Sequence, residues 1–493
     1  MISVNNFPLQ SKLLSFKMRW PYLIILIFFI LLTETCTTAS ESLHRIHIRS
    51  AKDVDNAFNT LLSILRESAL GEHIRHLKMD RSLSKLRDGL PRVEIPRALD
   101  DSDKDLLDDA VRRAGFEDGT CYPFDGNEGV SRLHMDQPAG TEDCRHDFCR
   151  GPNYNPVIFL SQALAALIIS VAPNLESLAF PEISKSWFPP SETGMVLQAF
   201  LEHANANPTQ IPYLQNLRTI RCLSNKDLML SDNRNYEWYD LLENIRLVGN
   251  LPAVESIIAN AIDDEHVETK LAPSSTNFKK VAIHHSQYGS SNLARIIRSC
   301  RSLEEFEFSI GGRHLLGLGT GTDKADLLNA LSFHTQTLRV LDFDLDDEFN
   351  DSPLNDMYVD YDDEEEDEDD SANWKMVFPE DQQILSLKDL PALTSLSIGI
   401  KLLAAFARGR AREGQPTETP NTLAEILPPN LEYLRIRGYN PGTNPEDDAQ
   451  VASLIEGSRT HVLLKIDDLD ACIPNAKSVD DPDNHRELLW TDD

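Results

Sequence analysis

The chain has 493 residues, 79 acidic against 47 basic, for a formal charge of −32. That balance argues against direct nucleic-acid binding, because phosphate contacts need cations to displace counterions. With 41% hydrophobic residues the chain can fill a continuous core, which excludes wholesale disorder.

At the amino terminus, Lys12, Lys17 and Arg19 precede an unbroken apolar run from Tyr22 to Leu32, followed by Thr37-Thr38-Ala39-Ser40. This is the order of a secretory signal: basic, apolar, then small residues with a cleavage point after Ala39. The 11 apolar residues span about 17 Å as a helix, against a hydrocarbon core of about 30 Å, so an anchor would need flanking residues. Loss of residues 1–39 would leave six of the seven cysteines, an even number suited to secretion. Against this, Asn350-Asp351-Ser352 is the one glycosylation acceptor, and Cys222 and Cys300 stand at apolar positions that suit buried thiols. Two readings stay open. In the first the protein is cytoplasmic or nuclear and residues 1–39 are a misassigned first exon or an atypical N-cap. In the second, residues 17–39 direct it to the secretory pathway or a membrane, with membrane contact only if the 20–32 segment is retained.

One phrase then recurs: apolar, two variable residues, apolar, one variable, apolar. Copies are Leu43-Ile46-Ile48, Ile74-Leu77-Met79, Leu175-Leu178-Phe180, Leu217-Ile220-Cys222, Phe278-Val281-Ile283, Leu303-Phe306-Phe308, Leu338-Leu341-Phe343, Leu393-Leu396-Ile398 and Leu431-Leu434-Ile436. A weaker copy is expected at Leu251-Val254-Ile257. The shortest intervals match the roughly 20–29 residues of a leucine-rich repeat, and the longer ones carry insertions. Between copies lie helical stripes: Val54, Phe58, Leu61, Leu62 and Leu65, with Ser50 and Asp53 at capping-box spacing; Leu293, Ile296, Ile297 and Cys300; and Lys324, Leu327, Leu328 and Leu331. Val157 to Val171 is apolar nearly all round, and its length with Pro173-Asn174 after it predicts a buried helix rather than a membrane span.

Helix-then-strand units in tandem predict an α/β fold: an irregular leucine-rich-repeat solenoid, or horseshoe, with parallel strands on its concave face and helices outside. The expected divisions are the hydrophobic segment 1–39, first repeats 40–99, a polar insertion 100–155, central repeats 156–345, an acidic disordered loop 346–373, carboxy-terminal repeats 374–470 and a tail 471–493. From Asp342 to Asp370 there are 17 acidic residues and no Lys or Arg, so about half of the net charge sits in this stretch. Its densest part, 360–370, cannot pack against itself; it is read as a solvated loop, or as an electrostatic lure for a basic partner.

Catalytic and cofactor patterns are missing from the sequence. Cys121, His134, Cys144, His146 and Cys149 cluster, but their separations do not match paired CxxC zinc ligands. Gly317-x-Gly319-x-Gly321 lacks both the dinucleotide spacing and a Gly-Lys-Ser/Thr ending, and reads as a turn before a helix capped by Thr322 or Asp323. No HExxH, GxSxG or catalytic Cys/His signature occurs. A non-catalytic protein-binding scaffold without cofactor or metal is therefore expected, with a protein partner and no nucleic acid. Its candidate interaction face comprises the residues just before and after the central apolar position: basic at Arg45, His47, His76 and Lys78, acidic at Glu305, Glu307, Asp342 and Asp344, then Tyr433 and Arg435, with Arg437 just beyond.

The segments Leu43-His44-Arg45-Ile46-His47-Ile48, His73-Ile74-Arg75-His76-Leu77, Pro173-Asn174-Leu175-Glu176-Ser177-Leu178 and Cys300-Arg301-Ser302-Leu303-Glu304-Glu305-Phe306 resemble those of filamentous-fungal leucine-rich-repeat proteins of the F-box type. The resemblance covers roughly residues 43–466. It implies a substrate adaptor whose repeats select a protein and whose amino-terminal F-box docks to a ubiquitin-ligase scaffold. Residues 1–42 contain no Leu-Pro-x-Glu-Ile-like opening, so the expected adaptor is F-box-like in a degenerate form.

Overall fold

The computed structural model describes residues 44–79, 100–116, 156–183, 196–223, 237–260, 262–264, 269–284, 286, 288–309, 324–344, 387–400, 402–403, 423–439, 441–456 and 463–466. In chain order these form β1 (Arg45–Ile48), α1 (Ala51–Arg66), β2 (His76–Met79), α2 (Asp101–Arg113), α3 (Pro156–Val171), β3 (Ser177–Phe180), α4 (Val196–Ala206), β4 (Thr219–Cys222), β5 (Glu237–Trp238) and α5 (Leu241–Val248). There follow β6 (Ser256–Asn260), β7 (Ile262–Asp263), β8 (Lys280–His284), α6 (Ser290–Ser299), β9 (Glu305–Ser309), α7 (Lys324–Leu331) and β10 (Val340–Asp344). The last elements are β11 (Ser395–Gly399), α8 (Leu423–Ile426), β12 (Tyr433–Arg437), α9 (Pro445–Glu456) and β13 (Leu463–Ile466).

The fold is mixed α/β. Eleven strands make one open parallel sheet in the order β1-β2-β3-β4-β6-β8-β9-β10-β11-β12-β13, and β5 pairs with β7 apart from it. The central apolar residue of each repeated phrase keeps a single register across the whole sheet: Ile46, Leu77, Leu178, Ile220, Ile257, Val281, Phe306, Leu341, Leu396, Leu434 and Leu464 are successive partners. The nine interior members are at most 1% exposed, while Ile46 and Leu464 at the two edges are partly buried. A one-residue slip of any strand would turn its apolar set to the opposite face, so burial of this ladder fixes the register. The weaker copy is displaced from its expected position. Ile257 pairs with Ile220 and Ala259 with Cys222, so that unit reads Val254-Ile257-Ala259, and the buried Leu251 belongs to the turn before it.

Burial alternates along the strands, with the variable positions half-buried and the apolar ones buried in β2, β4, β6 and β9. One side of the sheet is therefore sealed. The helices pack on one another in chain order: α1 with α3, α3 with α4, α4 with α5, and α6 with α7. The turns before β3, β4 and β12 are each tied to the preceding unit through an amide side chain. Asn174 donates to the Glu72 carbonyl at 3.0 Å, Asn216 to Pro173 at 3.0 Å and Asn430 to Pro391 at 2.8 Å. Each of these asparagines immediately precedes the first apolar residue of its phrase. At Gly71 a Cβ would lie 2.1 Å from the Val171 carbonyl oxygen, so only glycine lets the turn before β2 pass the end of α3.

Helix ends follow local chemistry. Ser50 caps α1 by accepting from the Asp53 amide at 3.3 Å. The Asp53 carboxylate accepts in return from the Ser50 hydroxyl at 2.8 Å and the Arg49 amide at 3.3 Å. The polar insertion opens with an ordered helix, α2, which Asp100 caps and which buries Leu107 and Ala110. Asp103, 2% exposed, accepts from Arg66 Nε at 3.1 Å and so ties α2 to α1. In α3 every residue from Ser161 to Ile169 is buried, as the sequence predicts for a core helix. Among the described residues no helix is long and apolar enough to cross a membrane. The segment 1–39, the Cys/His cluster at 121–149, the glycines at 317–321, Asn350 and the acidic run 360–370 lie outside the described residues.

His334 is buried where α7 meets the start of β9. Its Nδ1 accepts from the Leu303 amide at 3.3 Å, which leaves Nε2 to carry the proton and donate to the Ile297 carbonyl at 2.8 Å. Burial, the dominant cause, moves its pKa below the ordinary 6.5, although the Ile297 carbonyl acts in the opposite sense. A folded-state pKa below the unfolded one means that the unfolded chain binds the extra proton first. Stability from neutral His334 is then complete above about pH 6.5 and is lost as pH falls towards the folded pKa. Urea unfolding of the wild-type chain should weaken more steeply between pH 7 and pH 5 than that of His334→Gln. Parallel pH slopes for the two proteins would contradict the buried neutral imidazole.

Candidate interaction surface

The side of the sheet not sealed by helices presents two rows of side chains, because alternate residues of a strand share a face. The first row runs Arg45, His76, Ser177, Thr219, Ser256, Lys280, Glu305, Val340, Ser395, Tyr433, Leu463. The second runs His47, Lys78, Ala179, Arg221, Ile258, Ala282, Glu307, Asp342, Ser397, Arg435, Lys465. Arg45, His47, His76 and Lys78 are thus immediate neighbours on β1 and β2, and His44 stacks on His76 with ring centroids 6.3 Å apart.

Four strands along from β3, the acidic residues gather on β9 and β10, where Glu307 and Asp342 are register partners. Two carboxylates side by side would repel, and each meets a basic side chain from another strand. Lys280 lies 2.6 Å from Glu305, and His284 Nε2 lies 3.3 Å from Glu307. Arg437 grips Asp342 with both terminal nitrogens, at 2.8 and 2.9 Å. To do so it spans β11, whose residues at those positions are the small Ser397 and Gly399. The bond from His284 holds the Glu307 carboxyl below its ordinary range, against the opposing effect of burial. Asp342 shifts the other way: burial raises it, and Arg437 only partly offsets that.

Of the eleven face residues expected from the sequence, Glu305, Glu307, Asp342 and Arg437 come together in one charge network. Arg45, His47, His76 and Lys78 form a separate group at the amino-terminal end, and Tyr433 and Arg435 lie beside the network on β12. Asp344 is placed only by its backbone, opposite Ser309. The profile is not continuous, since Val340 stands in register with Glu305. Sequence reasoning missed Lys280, His284, Arg221 and Lys465. Counting one residue beyond the last apolar position of each phrase would have found His284, which occupies the same place as Arg437.

A further row, just before the strands, was also missed. The residues after the first apolar position run Arg75, Glu176, Arg218, Glu255, Lys279, Glu304, Arg339, and each amide donates to the carbonyl of the row member before it. Their charges alternate without a break. Arg75–Glu176 at 3.2 Å, Arg218–Glu255 at 3.7 Å and Lys279–Glu304 at 3.2 Å close as ion pairs. Exposed pairs of this kind are each worth about 0.2–1 kcal/mol, and alternation forbids the like-charge neighbours that a changed strand order would create.

Among the described residues no group of three or more His, Cys, Asp or Glu side chains is placed to hold a metal ion. Cys222 and Cys300 are buried free thiols, both pushed up to about 12 by burial. Neither has the depressed pKa of a thiolate nucleophile.

The Asp342–Arg437 pair is the most enclosed contact on this side, with Arg437 side-chain exposure at 10% and Asp342 at 30%. In a double-mutant cycle of Asp342→Asn and Arg437→Met, each single change should cost about 1–3 kcal/mol and the double change less than their sum. Strict additivity in urea unfolding would show that the pair does not act as a unit. Comparison with family models, with curated proteins and with solved structures gives no match to the chain.

Proposed function

We propose that the protein is a non-catalytic, protein-binding scaffold: an irregular leucine-rich-repeat solenoid whose half-open sheet side is a concave docking surface. One observation carries this reading. Purely parallel sheets are ordinarily covered on both faces, whereas here alternate residues of the interior strands β2, β4, β6 and β9 remain half-exposed. A long side presenting ordered rows of charge suits recognition of a protein surface by electrostatic complementarity.

The resemblance to F-box-type repeat proteins extends the proposal to a substrate adaptor, with ligase recruitment as its separable part. The secretory alternative rests on residues 17–39. Its supporting argument from an even cysteine count loses two members, because Cys222 and Cys300 are buried thiols.

The test is quantitative capture with tagged full-length protein. Tyr433→Ala combined with Arg435→Glu alters the sheet side, and Lys52→Glu combined with Asn59→Lys alters the exposed side of α1. Partners held by the sheet side should fall at least tenfold with the first variant and persist with the second. Equal recovery with all three proteins would sink the docking surface. A ligase scaffold subunit among the captured proteins would support the adaptor role, and its consistent absence would remove it.

A further inference from the structure

The two ends of the sheet are finished differently. At the amino-terminal end β1 carries Arg45 and His47 at its outward positions, and charged side chains on an edge guard it against pairing with another chain. At the carboxy-terminal end β13 carries Leu463 and Lys465 there, and Leu463 is 67% exposed. Among the described residues β13 pairs with β12 alone. The Leu463 amide donates to the Glu432 carbonyl at 2.8 Å. Successive residues of a strand turn their backbone groups to opposite sides, so those of Leu464 and Ile466 face the open edge.

The apolar layer is open at the same end. Leu464 is the ladder member of β13 and stays partly buried, whereas the interior members are at most 1% exposed. In α9, Val451 and Leu454 are buried, yet Ile455, one turn beyond Val451 on the same stripe, is 52% exposed. Size and charge then select what can cover this edge. A stable interface between two proteins takes about 800 Å² and roughly 20–30 residues from each side, and β13 has four residues. A second copy of the chain would also bring its own charge of −32. Stacked in ladder register on the β1 of that copy, β13 would set Lys465 beside His47, two basic side chains together. A short extended segment meets none of these obstacles. It needs main-chain bonds to the edge, one apolar residue in line with Leu464 and another beside Leu463.

We infer that β13 takes an extended apolar segment of a partner protein as one further strand of the sheet. Backbone pairing holds the segment, and the contacts with Leu463 and Leu464 select it. The surface is the edge of the sheet rather than its open side, so the inference stands apart from the docking role proposed above.

The experiment is fluorescence anisotropy with the full-length chain and three labelled decapeptides that share Ser and Gly flanks. One has Val-Leu-Ser-Val at its centre, one has four Ser there, and one has Val-Pro-Ser-Pro, whose prolines lack main-chain donors. The first should bind best and lose at least tenfold in affinity with Leu463→Ser combined with Ile466→Pro. The Ile466 amide faces the edge and not β12, so proline there blocks pairing while the ladder is kept. Leu463→Ser alone leaves every backbone group in place and should weaken binding by a smaller factor, a check that stands even if the proline variant does not fold. The Lys52→Glu, Asn59→Lys variant should bind as the wild type does. Equal binding of the serine or proline peptide, undiminished binding by the edge variants, or failure of the wild type to bind would each overturn the inference. So would binding that emerges only when the chain is ended at residue 470, which would give the edge to residues 471–493. A dimer in sedimentation that the edge variants abolish would give it to a second copy, and would overturn a partner-derived occupant. If the peptide fails while capture still depends on Tyr433 and Arg435, only the assignment at β13 falls and the docking surface stands.

Discussion

Strand register is the constraint on which the rest of this structure depends. In a parallel ladder each residue has a partner at the same place in the next unit, so a buried position must be apolar in every unit at once. From Leu77 to Leu434 it is. The intervals between strands are free to vary because they do not enter the ladder. This is how one sheet accommodates the 97 residues between Met79 and Ser177 in one crossover and the 20 between His284 and Glu305 in another.

The same register that buries the leucines also arranges the charges. Arg75, Glu176, Arg218, Glu255, Lys279, Glu304 and Arg339 alternate in sign only because successive strands are also spatial neighbours. Glu307 and Asp342 are forced together by the same rule, and the small residues of β11 open a path for Arg437 to compensate. Charge on this side is therefore organised across strands, at separations of 23 to 95 residues in sequence. The consequence is a surface whose centre holds its carboxylates against basic side chains of other strands.

Much of this was legible in the residues. The repeated phrase located ten of the eleven ladder strands, one of them through the displaced copy now read as Val254-Ile257-Ala259, where a small Ala259 obscured the pattern. The eleventh, Leu463–Ile466, was not seen because His461 stands where its first apolar residue would be. Helices α1, α3, α6 and α7 showed as stripes or as a solid apolar run. Helix α2 did not, since Leu107, Val111 and Ala114 are set among or beside nine charged residues from Asp100 to Arg113. The face was only half legible. Alternation predicts which residues point outward, but not that Arg437 reaches across a strand, nor that Lys280 and His284 pair with Glu305 and Glu307. Those facts need the register, and register belongs to the assembled sheet.

The central claim is an ordered ladder, and the proposal built on it is that its variable side is concave. Spin labels introduced at Arg45, Ser256 and Ser395 test it directly, since all three occupy the first outward row. Ser256 is four strands from each of the others, so both shorter distances should be alike, near 19 Å at about 4.8 Å per strand. The account predicts that the Arg45–Ser395 distance exceeds either of these yet falls short of their sum. A distance equal to the sum would make the sheet flat rather than concave, and two unlike shorter distances would contradict the ladder itself.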